Sequence, residues 1–216
     1  MGGRIFVVSG PSGVGKSTVI QRVRERMNGL EYSVSHTSRR PRNREANGVE
    51  YHFVARDVFR AMIEDGAFAE WAEVYGEYYG TSLKELTEKT SRGTDVIMDV
   101  DVQGAAQLRR NVDGCILVFF LPPDMKALTE RLRRRGTEDA DALAGRIEKA
   151  SREIAHCDRY DYLVVNELLE HAVEDLSSII RAERCRTVRR LPALMQQLQA
   201  EGILCPYPDT PSSGPS

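Results

Sequence analysis

Eight residues near the start of the chain, Gly10-Pro11-Ser12-Gly13-Val14-Gly15-Lys16-Ser17, spell the pattern G-x-x-x-x-G-K-[ST] and are followed by Thr18. At average residue frequencies a chain of this length carries such a match by chance about once in a hundred sequences. The chemistry it suits is anion binding. Glycines let the backbone turn with its N–H groups facing inward, and these groups cradle phosphate oxygens together with the N-terminus of a following helix. Lys16 adds a point charge at the β- and γ-phosphates of a nucleoside triphosphate, and the Ser17 hydroxyl can ligate Mg2+. Two competing motifs fail on spelling: G-x-G-x-x-G would need Gly at Thr18, and G-x-S-x-G would need Gly at Val14.

A triphosphate site leaves the acceptor open. In Arg39-Arg40-Pro41-Arg42-Asn43-Arg44 four arginines fall within six residues. Taken alone, such a run more often describes a solvated face or a nucleic-acid patch. Its neighbours Ser35, Thr37, Tyr51, Tyr78 and Tyr79 carry hydroxyls that suit a single phosphate, and the rest of the chain has no basic excess. Asp99 and Asp101 end a strand-like run, where period 2 puts both on one face at the carboxyl edge of a sheet. There Asp99 suits a water of Mg2+. A glycosidase-type acid pair is the other use of two carboxylates, with nothing else to support it. Read from the residues alone, Glu70 is a surface acid beside a buried Trp71. The arginines at 131–135 sit late in a helical pattern, where cations favour the dipole. Arg181, Arg184, Arg186, Arg189 and Arg190 read as a solvated helix face or a subunit contact.

The elements that must position these residues alternate. Apolar runs at 5–8, 95–100, 115–121 and 162–165 read as buried parallel strands, the third closed by Pro122-Pro123. Helical spacing follows the glycine loop in Val19, Ile20, Val23 and Met27, and recurs at 124–135, 140–157 and 168–186. The alternation predicts an α/β fold with a doubly wound parallel sheet. Residues 32–83 break the rhythm with short alternating runs and most of the tyrosines. They read as an inserted lobe of mixed strands with a helix at 57–65. A last helix is expected at 191–200, and the Pro/Ser-rich end from Cys205 as a disordered tail.

Composition narrows the class further. The chain has 216 residues, with 30 basic against 32 acidic side chains, which argues against a DNA-wrapping protein. No apolar run approaches the ~20 residues of a membrane span, and the start lacks the long apolar region of a secretory signal. Cys115, Cys157, Cys185 and Cys205 are far apart, with no C-x-x-C, so idle thiols in a reducing cytoplasm are expected rather than a disulfide or zinc framework.

Thr37-Ser38-Arg39-x-x-Arg42-x-x-Glu45-x-x-Gly48-x-x-Tyr51-x-Phe53-Val54 resembles the signature of guanylate kinases at every defined position. The resemblance continues in Glu70-Trp71-Ala72, Tyr78-Tyr79-Gly80-Thr81, Asp99-Val100-Asp101-x-Gln103-Gly104, the RLRRRG run at 131–136 and Tyr160-Asp161-Tyr162, and covers about residues 4–190. It implies a P-loop nucleoside monophosphate kinase with a core at 4–31 and 84–190, a GMP-binding lobe at 32–83 and a lid at about 131–146; the C-terminal helix expected within 191–204 and the tail at 205–216 lie outside it. It further implies ATP on residues 10–18 and Asn166. Arg39, Arg42, Tyr51 and Tyr79 would hold the GMP phosphate, and Ser35, Glu70, Thr81 and Asp101 would read guanine. Asp99 would lie at the GMP and reach Mg2+ through water. Lys16, Arg131, Arg135 and Arg146 would supply charge to the transferring phosphoryl group. The reaction implied is ATP plus GMP (or dGMP) to ADP plus GDP, with neither nucleic acid nor membrane as partner, and with self-association left open. The alternative is a non-catalytic peptide-binding module of the same fold; such modules typically lack a working phosphate loop.

Overall fold

The strand β1 (Ile5–Ser9) is buried along its whole length, and the reason is its place in the sheet. In the computed structural model, which describes residues 2–42, 44–135 and 140–202, with 135, 140 and 141 as backbone only, β1 lies between β7 (Asp95–Asp99) and β8 (Ile116–Leu121). Beyond β7 stands β2 (Leu30–Tyr32), and beyond β8 stands β9 (Tyr162–Val165), giving the order β2-β7-β1-β8-β9, all parallel. The two sides of β1 feed two cores. Phe6 and Val8 pack with α1 (Lys16–Arg26) and α7 (Leu169–Cys185), through Val19, Ile20, Val23, Val173, Leu176 and Ile180. Ile5 and Val7 pack with Leu86 of α3 (Leu83–Ser91) and with Ala105 and Leu108 of α4 (Val102–Asn111). Helices on both faces explain why the central strands read as continuous apolar runs.

Residues 36–82 form a second, mixed sheet in the order β4-β3-β6-β5, from β3 (His36–Thr37), β4 (His52–Phe53), β5 (Phe68–Val74) and β6 (Glu77–Ser82). It has its own small core, in which Phe59 of α2 (Arg56–Glu64) stacks on Phe68 at 4.4 Å and Tyr78 at 5.4 Å between ring centroids. A helical pair, α5 (Met125–Arg135) and α6 (Ala140–Ile154), packs through Leu128, Leu132 and Ala150.

Three expectations change. The last helix, α8 (Thr187–Ala200), begins upstream of Leu191 and carries Pro192 inside it. Its first turn is fixed by tertiary contact: Arg189 donates to Asp95 at 3.2 Å and to the Gly2 carbonyl at 3.0 Å. Arg184 donates to the other Asp95 oxygen at 2.7 Å and to the carbonyls of Asn28 and Gly29. Arg184 and Arg189 are therefore not a solvated face. They converge on a buried carboxylate that also accepts the Arg4 N–H at 2.6 Å. Finally, the strand at 95–100 stops at Asp99, and Asp101 becomes the N-cap of α4 instead of a strand residue. The expected segments at 136–139 and from 203 onward, Cys205 and the tail included, lie outside the described residues, as does the Arg135 side chain.

Candidate active site

The loop between β1 and α1 opens at the carboxyl edge of the sheet, beside the ends of β7 and β8. Gly15 holds φ at 98°, in the left-handed region, and a Cβ there would lie 2.4 Å from Asn166 Nδ2. Only glycine suits both constraints. Lys16 Nζ donates to the Gly10 carbonyl at 2.7 Å and stands 3.7 Å from Asp99 Oδ1, while the Ser17 hydroxyl lies 3.5 Å from Asp99 Oδ2. Burial pushes the Asp99 carboxyl up; the Lys16 ammonium and the Ser17 hydroxyl pull it back.

Asn166 and Arg131 sit behind this loop. Asn166 Nδ2 donates to the Val14 carbonyl at 2.7 Å, and Arg131 Nη2 donates to the Asn166 carbonyl at 2.9 Å. Both side chains thus brace the loop from the end of β9 and from α5. Arg146, on α6, reaches the loop from the other side, with Nη2 3.0 Å from Ser12 Oγ.

A cavity of about 450 Å3 runs from the loop to Tyr51, the residue before β4. It is lined by Gly10, Ser12, Gly13, Gly15, Lys16 and Ser17 on one side and by Tyr51, Asp99 and Asp101 on another. Past Tyr51 lies Arg39, whose guanidinium forks onto Glu45 at 2.9 and 3.0 Å and lies 5.5 Å from the Tyr51 ring centroid. Glu45 also accepts the Arg42 backbone N–H at 2.7 Å, so one carboxylate sets both arginines. These donors hold the Glu45 carboxyl below its ordinary range, the Arg39 guanidinium first among them. The Tyr79 ring stands 5.8 Å from that of Tyr51. Arg39, Tyr51 and Tyr79 therefore share one corner, with the Arg42 side chain exposed at its rim.

Glu70 reverses the reading made from residues alone. It is 7 % exposed and Trp71 is 37 % exposed. The cause is an irregularity of register in β5 between Phe68 and Glu70, so that Phe68 opposes Ser82 while Glu70 opposes Thr81. Such a bulge re-aims the side chains that follow it. Thr81 donates its hydroxyl to Glu70 Oε1 at 2.6 Å. Glu70 Oε2 faces α4, where a Cβ on Gly104 would be only 3.0 Å away, and Asp101 caps that same turn by accepting the Gly104 N–H at 2.8 Å. Burial pushes the Glu70 carboxyl up, the Thr81 hydroxyl opposes this, and the Asp101 charge adds to it. Glu70, Thr81 and Asp101 are thus brought together from two strands of one sheet and a helix start. Ser35 is half-buried just before β3, and its carbonyl accepts the His52 N–H.

Comparison with known proteins bears on this pairing of a phosphate loop with a buried carboxylate–hydroxyl corner. The family described as guanylate kinase matches residues 2–183. The chain belongs to the guanylate kinase family. A guanylate kinase of Syntrophotalea carbinolica is 47 % identical over 187 residues, covering 87 % of this chain and 89 % of that protein. One of Carboxydothermus hydrogenoformans is 46 % identical, covering 87 % and 92 %. A crystal structure of guanylate kinase from Anaplasma phagocytophilum superposes with a TM-score of 0.73 at 33 % identity, covering 94 % of this chain and 97 % of that one.

Three residues of the cavity wall were not singled out from the sequence: Tyr32, Lys149 and Glu153. Tyr32 ends β2 at the same sheet edge as Asp99, a placement that only the strand order reveals; burial and the Asp99 charge push its hydroxyl up to about 12. Lys149 and Glu153 stand three and seven residues after Arg146, a helical spacing that was legible. Glu45 was quoted in the signature without a role.

Proposed function

We propose that this chain transfers the γ-phosphoryl group of ATP to GMP, and to dGMP, giving ADP and GDP by direct in-line displacement. The observation that carries the reading is a cleft lined by the glycine loop, Tyr51, Asp99 and Asp101, with the buried Glu70–Thr81 pair set against the helix turn that Asp101 caps. Guanine presents N1–H and an exocyclic amine, both donors, so Glu70 and Asp101 with Thr81 and Ser35 suit it as acceptors. Arg39, Arg42, Tyr51 and Tyr79 are assigned to the GMP phosphate. The loop N–H groups, Lys16, Ser17 and Thr18 are assigned to the phosphates of ATP, and Asn166 to the adenine side, bracing the loop it underlies.

The acceptor is already an oxyanion, so no general base is required. The protein's work is positioning and charge neutralisation. Lys16 and Arg146 would bear on the transferring group, with Arg135 and Arg131 on the same lid. The donor set at the loop suits Mg2+: a hydroxyl and a carboxylate, Ser17 and Asp99, are hard oxygen donors 3.5 Å apart. When bound with ATP, Mg2+ supplies further charge neutralisation at the phosphate oxygens. Segments 4–31 and 84–190 would act as the core, against which the 32–83 lobe and the 131–146 lid close. No described helix is long and apolar enough to cross a membrane, and the cytoplasm is the proposed setting. A coupled ADP-release assay across GMP, dGMP, IMP, AMP, UMP and CMP tests the reading. Turnover confined to guanine and hypoxanthine acceptors supports it. Binding of nucleotides without turnover would instead favour a non-catalytic module.

A further inference from the structure

Two charged side chains of α6 line the phosphate-loop cavity and have no part in the reading above. Lys149 and Glu153 follow Arg146 by three and seven residues, so the three share one helix face. That face is turned to the loop, because Arg146 reaches Ser12 Oγ at 3.0 Å. Lys149 and Glu153 also border an adjoining cavity of about 330 Å3, lined in addition by Asp101, Val102, Gln103, Arg152 and His156. Lys149 Nζ stands 3.8 Å from Glu153 Oε1, with the ammonium side chain 64 % exposed at the mouth and the carboxylate 14 % exposed inside. Burial pushes the Glu153 carboxyl up; Lys149 and then Lys16 pull it back.

This pair is a poor device for stabilising a helix. Its contact is too long for a hydrogen bond, and Lys preceding Glu by four residues is the weaker orientation. One residue back, Glu148 and Arg152 form the better-oriented pair, with both side chains exposed, at 3.1 Å. A carboxylate inside a polyphosphate cleft also repels the ligand, so its position calls for another account. We propose that Lys149 is a further phosphate-binding residue of the cleft, and that Glu153 is the counter-charge from which the nucleotide phosphates take it. An ammonium on a four-carbon stem can make that exchange by rotation alone. The inference rests on the reading of the chain as an ATP:GMP phosphotransferase.

The test uses the full chain with Lys149→Met, Lys149→Arg and Glu153→Gln. Lys149→Met should lower kcat/KM by roughly 10- to 100-fold, the loss of one charge-assisted contact, with an unchanged melting temperature. Lys149→Arg should restore it to within about threefold, because the charge is kept. Glu153→Gln should lower KM for at least one nucleotide about threefold or more, because the competing charge is gone. Wild-type kinetics in Lys149→Met would overturn the proposal, as would a Glu153→Gln enzyme weakened as much as Lys149→Met. Calorimetric titration with ATP separates this from the activity itself. A wild type that binds ATP but transfers nothing to GMP refutes the proposed reaction, while weaker ATP binding by Lys149→Met would still uphold Lys149 as a phosphate ligand, and equal binding would refute it.

Discussion

Gly104→Ala isolates the geometry of the corner proposed to read the base from the rest of the enzyme. Gly104 is the third residue of α4, in its first turn. Alanine is the better helix former by up to about 1 kcal/mol, so the backbone alone would favour the change. The added Cβ would lie 3.0 Å from Glu70 Oε2, 3.2 Å from Val100 Cβ and 3.5 Å from Asp101 Oδ1. The first two contacts must open by a few tenths of an ångström. Glu70 cannot swing away freely, because Oε1 is held by Thr81 at 2.6 Å and both residues are buried. Crowding of about 1 kcal/mol against a propensity gain of similar size leaves stability nearly level, a shift of no more than about 2–4 °C in Tm for a chain of this size. The site pays instead: a displaced carboxylate loses one charge-assisted hydrogen bond to guanine, about 1.5–3 kcal/mol, or roughly 10- to 100-fold in kcat/KM for GMP. ADP release measured with GMP varied at saturating ATP, then with ATP varied at saturating GMP, and a thermal melt of the same preparation, give all three quantities. A wild-type kcat/KM for GMP, or an equal loss in the ATP series, would refute the placement of guanine at Glu70.

The remaining predictions follow from other parts of the same cleft and sheet. Lys16→Ala should fold normally and lose kcat by about 3–4 kcal/mol of transition-state stabilisation, read by single-turnover kinetics; near-normal turnover would remove Lys16 from the phosphate site. Wild type should rank GMP above IMP by roughly 10- to 100-fold and above AMP by about 10⁴-fold or more, because AMP leaves a buried carboxylate without its donor; AMP within tenfold of GMP would disprove the base assignment. The Glu70 carboxyl is pushed up by burial, so the folded state holds this proton more tightly than the unfolded chain. As pH falls through the raised folded value, stability should rise and level off near the ordinary value of about 4.3. GMP binding, for which Glu70 is proposed as an ionised acceptor, should weaken in the same window. Glu70→Gln should abolish both limbs, and an unchanged acid profile would show that another group is responsible. Asp95→Ala should cost about 3–5 kcal/mol in urea unfolding, since it strands Arg184 and Arg189 beside an acceptor-less Arg4 N–H. Activity per folded molecule should persist, because Asp95 begins the strand that Asp99 ends, about 13 Å away.

What the sequence could write by itself was local. The glycine loop is a matter of eight consecutive residues whose glycines admit the backbone angles and whose Lys16 and Ser17 open the next helix, so spelling alone placed that turn between strand and helix. The buried strands were legible because a strand covered on both faces must be apolar at every position. The arginine and tyrosine signature at 37–54 carried the family resemblance because its spacing is short. The corner proposed to read the base was not legible from residue types: Glu70 turns inward only through the irregular register of β5 against β6, and it has room only because Gly104 of α4 lacks a side chain. Asp101 was placed at the right edge but in the wrong element, since the capping bond that starts α4 competes with continuation of the strand. The basic stretch at 181–190 looked solvated because its counter-charge, Asp95, lies 89 residues before Arg184 and 94 before Arg189. Charge pairing across such separations depends on which strand start lies under which helix end, and that is settled by packing of the whole sheet rather than by any window of the chain.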